Sequence, residues 1–561
     1  MTGKHTKAAT LTIGVAQMAL EGTLDSNRDK IIQLIGLAKT QDCRLIIFPE
    51  GALNSLPDTP KVEIDCAVAD ICNVARTNQI YVILCGMHKK TPTDRLSNVL
   101  FVINPAGEVI LTYYKLFDVQ PNQLPGVFFI DEIPCSAIIC ADRWIRGVED
   151  LPVMQGARIL IECSNNYATE WVPDLEWYWY IPRALRNNAY VIFANTANNP
   201  AHDQFEHVYA AHGHSAIINP EGKVTAAVEN AEEKLLVATL DLNHPALGIE
   251  ADKRRHHPLF QPFWDVGLNL LRGKEMSNPP SFAAKLSPSR SICVAAAQFI
   301  PSAHMATNLS VMAAMLQEAK GNGAYIVAFP ELCVTGIIAV DTAGYNAEML
   351  ENALLKIKAA ARTAHIAAIF GMPVVDNGKL MNGVYVVDAE GRLVTQYSQI
   401  LVDVPARFSP GTSTHDMWFN LNGIPGVVTV GRREALWNEI AELAAIRGAQ
   451  LHIHLENDHN VDAESMLLRK QIWVTAASYH TLTVTVNAGG GSTIWQDFRR
   501  QRGKGPYPYC AVPLITAGTD QEIIYTTQTV EVENPHYNRM SHQLNPQMKA
   551  WYDMGAQVIE Q

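Results

Sequence analysis

The chain runs to 561 residues, 48% of them hydrophobic and 18% charged, enough apolar material for at least two cores. Its 44 Lys and Arg stand against 56 Asp and Glu, a net charge of -12 at pH 7, which argues against nucleic-acid partners and against binding to anionic membrane surfaces. Ten cysteines without a C-x-x-C pair or zinc-finger spacing exclude a disulfide framework and point to a reducing compartment, the cytoplasm.

In chain order, the N-terminal MTGKHTKAATLTIGVAQM carries two lysines before a short, threonine-rich apolar stretch, which does not read as a signal peptide. A first strand ends near Gln17. A helix with apolar residues at three- and four-residue spacing follows, then the strand Leu45-Ile46-Ile47-Phe48 and Pro49-Glu50-Gly51. The turn Asn104-Pro105-Ala106-Gly107 leads into a strand closed by Tyr113-Tyr114-Lys115, and the apolar run Ala137-Ile138-Ile139 ends at Cys140. A strand at 159–162 precedes Asn165-Asn166-Tyr167 and the aromatic series Trp171, Trp177, Tyr178, Trp179, Tyr180. The strand Tyr190-Val191-Ile192-Phe193-Ala194-Asn195 and the turn Asn219-Pro220-Glu221-Gly222 follow. Residues 273–288 have the Pro, Ser and Lys character of a linker. The least charged long stretch, Ser291 to Leu316, is broken by Pro301, His304 and Asn308, so no membrane span is expected.

Beyond the linker the pattern starts again. Gln17, Asn27 and Glu50 are spaced by ten and 23 positions, and so are Gln298, Asn308 and Glu331. Residues 104–115 match 388–399 without a gap, pairing Gly107 with Gly391 and Lys115 with Gln399. Gly156-Ala157 matches Gly448-Ala449, and Asn195 matches Asn487. The chain therefore reads as two homologous α/β domains, 1–275 and 288–561. Short strands alternating with helices, together with hairpin turns, predict layered α/β sandwiches with some antiparallel pairs.

Three residues of the first copy carry chemistry. Glu50, Lys115 and Cys140 each sit at the end of a predicted strand, where α/β sheets bind ligands. A thiol beside an ammonium and a carboxylate has what amide hydrolysis needs. The cation favours the thiolate and steadies an oxyanion, while the carboxylate carries protons to the leaving amine. Taken singly, a cysteine or glutamate at a strand end is more often structural. Histidines 202, 207, 212 and 214, and 452, 454 and 459, have no regular spacing that would hold a metal, and none is expected. Gly489-Gly490-Gly491 lacks the G-K-[ST] of a phosphate loop and reads as a tight turn.

The motifs together resemble the carbon–nitrogen hydrolase (nitrilase) superfamily. The carriers are Phe48-Pro49-Glu50 and Phe329-Pro330-Glu331-Leu332, Tyr113-Tyr114-Lys115, Cys140-x-Asp142, Gly156-Ala157, Arg183-Ala184-Leu185-x-Asn187, Asn195, Gly213-x-Ser215 and Asn219-Pro220-x-Gly222. The resemblance implies a four-layer αββα sandwich that pairs with a second copy, and a Glu–Lys–Cys triad working without metal or organic cofactor. Cys140 would be the nucleophile, Glu50 the general base and Lys115 the oxyanion stabiliser, with the Ala141 N–H as second donor. Arg143, Arg146, Asn165, Tyr167 and Trp171 are candidates for contact with substrate. The aromatic series has a competing reading as packing at a domain contact.

Two departures stand out. Many members carry a second glutamate after the lysine, where this chain has Gln120, with Asp118 nearby. In the second copy the lysine position is Gln399, and the nucleophile position falls at Gly431 or Arg432. Neither attacks a carbonyl, so the second copy is expected to be degenerate and to serve as partner in an intramolecular pseudo-dimer. The function expected is hydrolysis of non-peptide C–N bonds in a small amide, carbamoyl compound or nitrile through a Cys thioester. The alternatives are a nitrilase-like binding or scaffold protein, and an acyltransferase using the same thioester.

Overall fold

The computed structural model describes residues 9–54, 59–89, 91, 94, 96–116, 124, 126–145, 147–197, 202–204, 207–278, 290–336, 346–437, 439–459, 481–496, 513–530 and 546–558. Gln120, Asp118, Arg146 and most of the linker lie outside them, as do the side chains of Trp177, Tyr178 and Trp179. Two compact units emerge. The first takes the described residues up to 278 and, from the far end of the chain, those up to Trp551; the second takes those from 290 to 530 and from Tyr552 onward.

Each unit holds two six-stranded mixed sheets. In the first unit one sheet runs in the order Lys234–Asp241, Thr10–Gln17, Leu45–Ile47, Tyr81–His88, Ser97–Ile103, Val109–Tyr114. The other runs Val224–Ala227, Ala216–Ile218, Tyr190–Asn195, Ile159–Ser164, Ile133–Ile139, Phe128–Ile130. The sheets meet face to face, Thr10–Gln17 against Tyr190–Asn195 and Ser97–Ile103 against Ile133–Ile139. Parallel central strands explain the continuous apolar runs of the sequence: both faces of these strands are covered. Helices Leu24–Thr40 and Lys61–Asn78 cover the first sheet, and Pro173–Asn187 the second, which completes the αββα layering.

Local chemistry accounts for the helices. Thr23 caps Leu24–Thr40 by accepting from the Ser26 N–H, Asp25 lies in its first turn and Lys39 in its last, and Ile31, Ile35 and Ala38 form the buried stripe. In the second unit Asn346 caps Ala347–Ala364 through the Met349 N–H at 2.9 Å, and Leu350, Ala353, Ile357 and Ala361 face inward.

The second unit repeats the plan. Its sheets run Leu393–Ser398, Lys379–Val387, Ala367–Asp376, Ile326–Ala328, Arg290–Gln298, Glu522–Val530 and Trp418–Leu421, Ile424–Val430, Leu451–Glu456, Leu482–Asn487, Thr493–Trp495, Ile515–Thr516. The repeated motif residues do equivalent work. The Gln17 amide bridges two segments of its unit, donating to the carbonyls of Asn230 and Glu232 and accepting from the Ser215 N–H. Gln298 does the same with Gly518, Asp520 and Ser492. Asn27 and Asn308 are buried and accept from the backbone of the preceding loop, at Glu21 and Ser302.

Helix Pro546–Val558 lends Trp551 to the first unit. Trp551 is fully buried, stacks on Phe263 at 4.6 Å and donates from its indole N–H to the Phe263 carbonyl at 2.7 Å. Gly147 and Gly267 make room for it, since a Cβ on either would press into the indole ring.

Candidate functional site

Strand Leu45–Ile47 ends three residues before Glu50. The loop is fixed by the Phe48 N–H on the Ile83 carbonyl (3.0 Å) and the Leu53 N–H on the Cys85 carbonyl (2.9 Å). It lies so close to strand Tyr81–His88 that Gly86 has no space for a Cβ against Asn54. Lys115 follows strand Val109–Tyr114, its N–H on the Asn98 carbonyl at 2.9 Å. The Lys115 Nζ donates to Glu50 Oε1 at 2.5 Å, and both side chains are about nine-tenths buried, with 9% and 11% of their side-chain surface exposed. Charges this dry interact strongly but lose much hydration, so a close pair is the condition for having them there at all.

Cys140 directly follows strand Ile133–Ile139 and opens the 3-10 turn Cys140–Trp144. Its φ of 43° lies in the left-handed region, a strained conformation for a side-chain-bearing residue. The turn is tied to the lysine strand: the buried Tyr113 hydroxyl donates to Asp142 Oδ2 at 2.6 Å, which links the Tyr-x-Lys and Cys-x-Asp motifs. Burial pushes the Cys140 thiol up to about 11. The Glu50 charge pushes the same way, while Lys115 and Arg143 pull it down. Tyr167 shares this neighbourhood. Burial holds its phenol proton on, followed by the charge of Glu50.

The remaining candidates form the surrounding wall. Asn165 donates from Nδ2 to the Tyr167 hydroxyl at 2.6 Å, and its carbonyl accepts from Thr196 Oγ1. Trp171 stacks on His214 at 3.7 Å and leans on His212 at 5.1 Å. Arg143 is held within the protein, on the Tyr180 hydroxyl (2.8 Å), the Asn166 side-chain carbonyl (2.8 Å) and Glu162 (3.2 Å). Asn166 is the residue the motif reading passed over in favour of its neighbour. Its Oδ1 accepts from the Cys140 thiol at 3.5 Å, and its N–H is fixed by Asn195 Oδ1 at 2.7 Å. The Asn195 motif, matched by Asn487 on the Asp458 N–H, was the available signal. Among the described residues no group of three or more His, Cys, Asp and Glu could hold a metal ion.

The second copy has the same architecture and different contents. Strand registers align Cys135 with Ile159 and Gly426 with Leu451, which places Gly431, the residue after Val430, where Cys140 stands. Gly431 keeps the left-handed φ, at 76°, without strain. A Cβ there would overlap the Asp403 carboxylate and the Gln399 amide. Asp403 accepts from the backbone N–H groups of Arg432 and Arg433 at 2.8 Å each and from Gln399 at 3.1 Å. Glu331 accepts from Asn382 at 2.6 Å instead of from a lysine, and burial, with the Asp403 charge, pushes it up to about 8.

Comparison with known proteins follows the same division. The carbon–nitrogen hydrolase family model matches residues 12–245 and again 293–495. The bovine omega-amidase NIT2 is 25% identical over 274 residues, 45% of this chain and 94% of that protein. A 2-oxoglutaramate amidase of Bacillus subtilis is 26% identical over 189 residues, 31% of this chain and 66% of that protein. A solved amidase from Nesterenkonia sp. is 17% identical, covering 46% of this chain and 97% of its own, with a TM-score of 0.38. Two family matches in tandem, over most of the sequence, make this chain a member of the carbon–nitrogen hydrolase family, enzymes acting on C–N bonds other than peptide bonds.

Proposed function

We propose that the first unit hydrolyses a small amide through a thioester on Cys140, with Glu50 as acid and base and Lys115 as oxyanion partner. The observation that carries this reading is the buried Lys115–Glu50 pair at 2.5 Å, whose charges both act on the Cys140 thiol. With the thiol up at about 11, roughly one molecule in ten thousand is thiolate at pH 7, so the proton must leave as the attack occurs. Glu50 takes that proton as sulfur bonds to the carbonyl carbon. The tetrahedral oxyanion is met by the Lys115 ammonium and the Ala141 N–H. Glu50 then gives the proton to nitrogen, the C–N bond breaks, and ammonia or an amine leaves. Water, deprotonated by Glu50, attacks the thioester, and the proton passes to sulfur as the acid departs.

A primary amide is the preferred substrate class, in keeping with the amidase names of the relatives. Asn165, Tyr167 and Trp171 would border the acyl group. The second unit is assigned no turnover, because Gly431 offers no nucleophile and a side chain at that position would meet Asp403 and Gln399. We also keep the role of built-in partner for the second unit as part of this proposal. Ammonia release over a panel of small amides, carbamoyl amino acids and nitriles tests the assignment, with Cys140→Ala as control. Turnover of amides that disappears in the variant supports it; turnover that survives refutes it.

A further inference from the structure

We propose that Arg143, braced by Glu162, is the positioning residue of the nucleophile turn: it holds the strained Cys140 backbone and sets a permanent cation beside the sulfur. The inference rests on the reading of Cys140 as nucleophile and goes beyond the Glu–Lys–Cys set. Arg143 Nε donates to the Cys140 carbonyl at 3.2 Å, and its Nη2 lies 3.9 Å from the Cys140 sulfur. The same Nη2 donates to Asn166 Oδ1, the oxygen that accepts from the thiol. One planar guanidinium thus touches the backbone, the sulfur and the sulfur's hydrogen-bond partner. That fork geometry is available to arginine and not to lysine.

The brace behind it is buried and charge-balanced. Glu162 has no exposed surface, and its two oxygens are divided between Arg143 at 3.2 Å and Arg183 Nη1 at 2.5 Å. Arg183 is in turn clasped by Glu149, its Nε 2.8 Å from both carboxylate oxygens. A carboxylate in the middle of the apolar strand Ile159–Ser164 costs much hydration, which the fixed pair of guanidinium groups offsets. The degenerate copy supplies the contrast. There His454 occupies the strand position equivalent to that of Glu162, and the turn at Gly431 is held by Asp403 and by Glu434 on the Val430 N–H. The described Arg433 donates to the Val402 carbonyl at 3.0 Å. At the positions equivalent to Arg143 and Glu162, the second copy therefore carries Glu434 and His454. Among the described residues, the charged and titratable groups that act most on the sulfur are Glu50, Lys115, Arg143 and Glu162, with Tyr167 beside them.

The test is peptide-resolved alkylation of the full chain by iodoacetamide between pH 6 and 10, with exposed Cys66 as internal reference, alongside steady-state kinetics. Arg143→Gln is expected to slow alkylation of Cys140 at pH 8 about tenfold relative to Cys66, one unit in thiol acidity. Its kcat should fall at least as far while KM stays within about twofold. Unchanged Cys140 alkylation in a folded variant overturns the proposal, and a tenfold rise in KM without it would make Arg143 a substrate contact instead. Should Arg143→Gln fail to fold, Glu162→Gln, which leaves the guanidinium unbraced, decides: slowed alkylation supports the proposal and wild-type alkylation overturns it. Because alkylation is read without substrate, its outcome is separate from that of the amidase reading, which falls only if Cys140→Ala still turns over.

Discussion

A side chain in the left-handed backbone region is costly, on the order of 1–3 kcal/mol, and Cys140 accepts that cost where Gly431 avoids it. The comparison makes a residue-scale prediction. Gly431→Cys should destabilise the second unit and yield no second active site, because the new Cβ meets Asp403 and Gln399; thermal melting and active-site titration would show it, and a gain to two titratable sites would contradict it. In the first unit, Glu50→Gln should lower kcat by about 10²–10⁴ and Lys115→Met by at least about a hundredfold, since the first removes the proposed proton carrier and the second the cation proposed to meet the oxyanion. The proposed triad was legible in the sequence, because Phe-Pro-Glu, Tyr-x-Lys and Cys-x-Asp are contiguous patterns. Asn166, Glu162 and Tyr180 were not. Glu162 sits in an apolar run and finds its partners 19 residues upstream and 21 downstream, a pairing that no local periodicity encodes.

At the scale of elements, the strand–helix–strand order of both copies was readable, because parallel central strands are continuously apolar and the helices bury residues at three- and four-residue spacing, as Ile31, Ile35 and Ala38 do in one copy and Met312, Met315 and Ala319 in the other. The limits of the strands were less so: Leu45–Ile47 stops a residue before the apolar run ends, since the Phe48 N–H turns to Ile83 to fix the glutamate loop. Nothing in the sequence assigns the C-terminal Trp551 to the first unit. Its indole fills a slot kept open by Gly147, a few residues past the Cys140 turn, and by Gly267 in helix Gln261–Leu271. Trp551→Ala should therefore cost about 3–5 kcal/mol, the usual price of removing a large buried aromatic. Chemical denaturation followed in the first unit would measure it, and a loss below about 1 kcal/mol would contradict the packing described.

For the whole molecule, pH should act on the two units differently. Burial pushes Glu331 up to about 8 and Glu434 up to about 7 in the second unit, against an ordinary value of 4.5. The folded state therefore keeps protons that the unfolded chain has released, and the stability these groups provide is full below pH 4.5 and is lost as pH rises to 7–8. The melting temperature of the second unit should fall between pH 5 and about 8.5, and Glu331→Gln, which mimics the protonated acid, should flatten that fall. A steeper fall in the variant would reverse the assignment. Residues 1–275 expressed alone lack Trp551, so that fragment should melt well below the full chain. A fully active, equally stable fragment would remove any need for the second copy. The central claim, a covalent acyl intermediate on one sulfur, is tested most directly by mass spectrometry of protein quenched in acid during turnover of a small amide. The account predicts an acyl increment confined to the peptide bearing Cys140 and missing from Cys140→Ala; turnover with that peptide unmodified, or the increment on another residue, would contradict it.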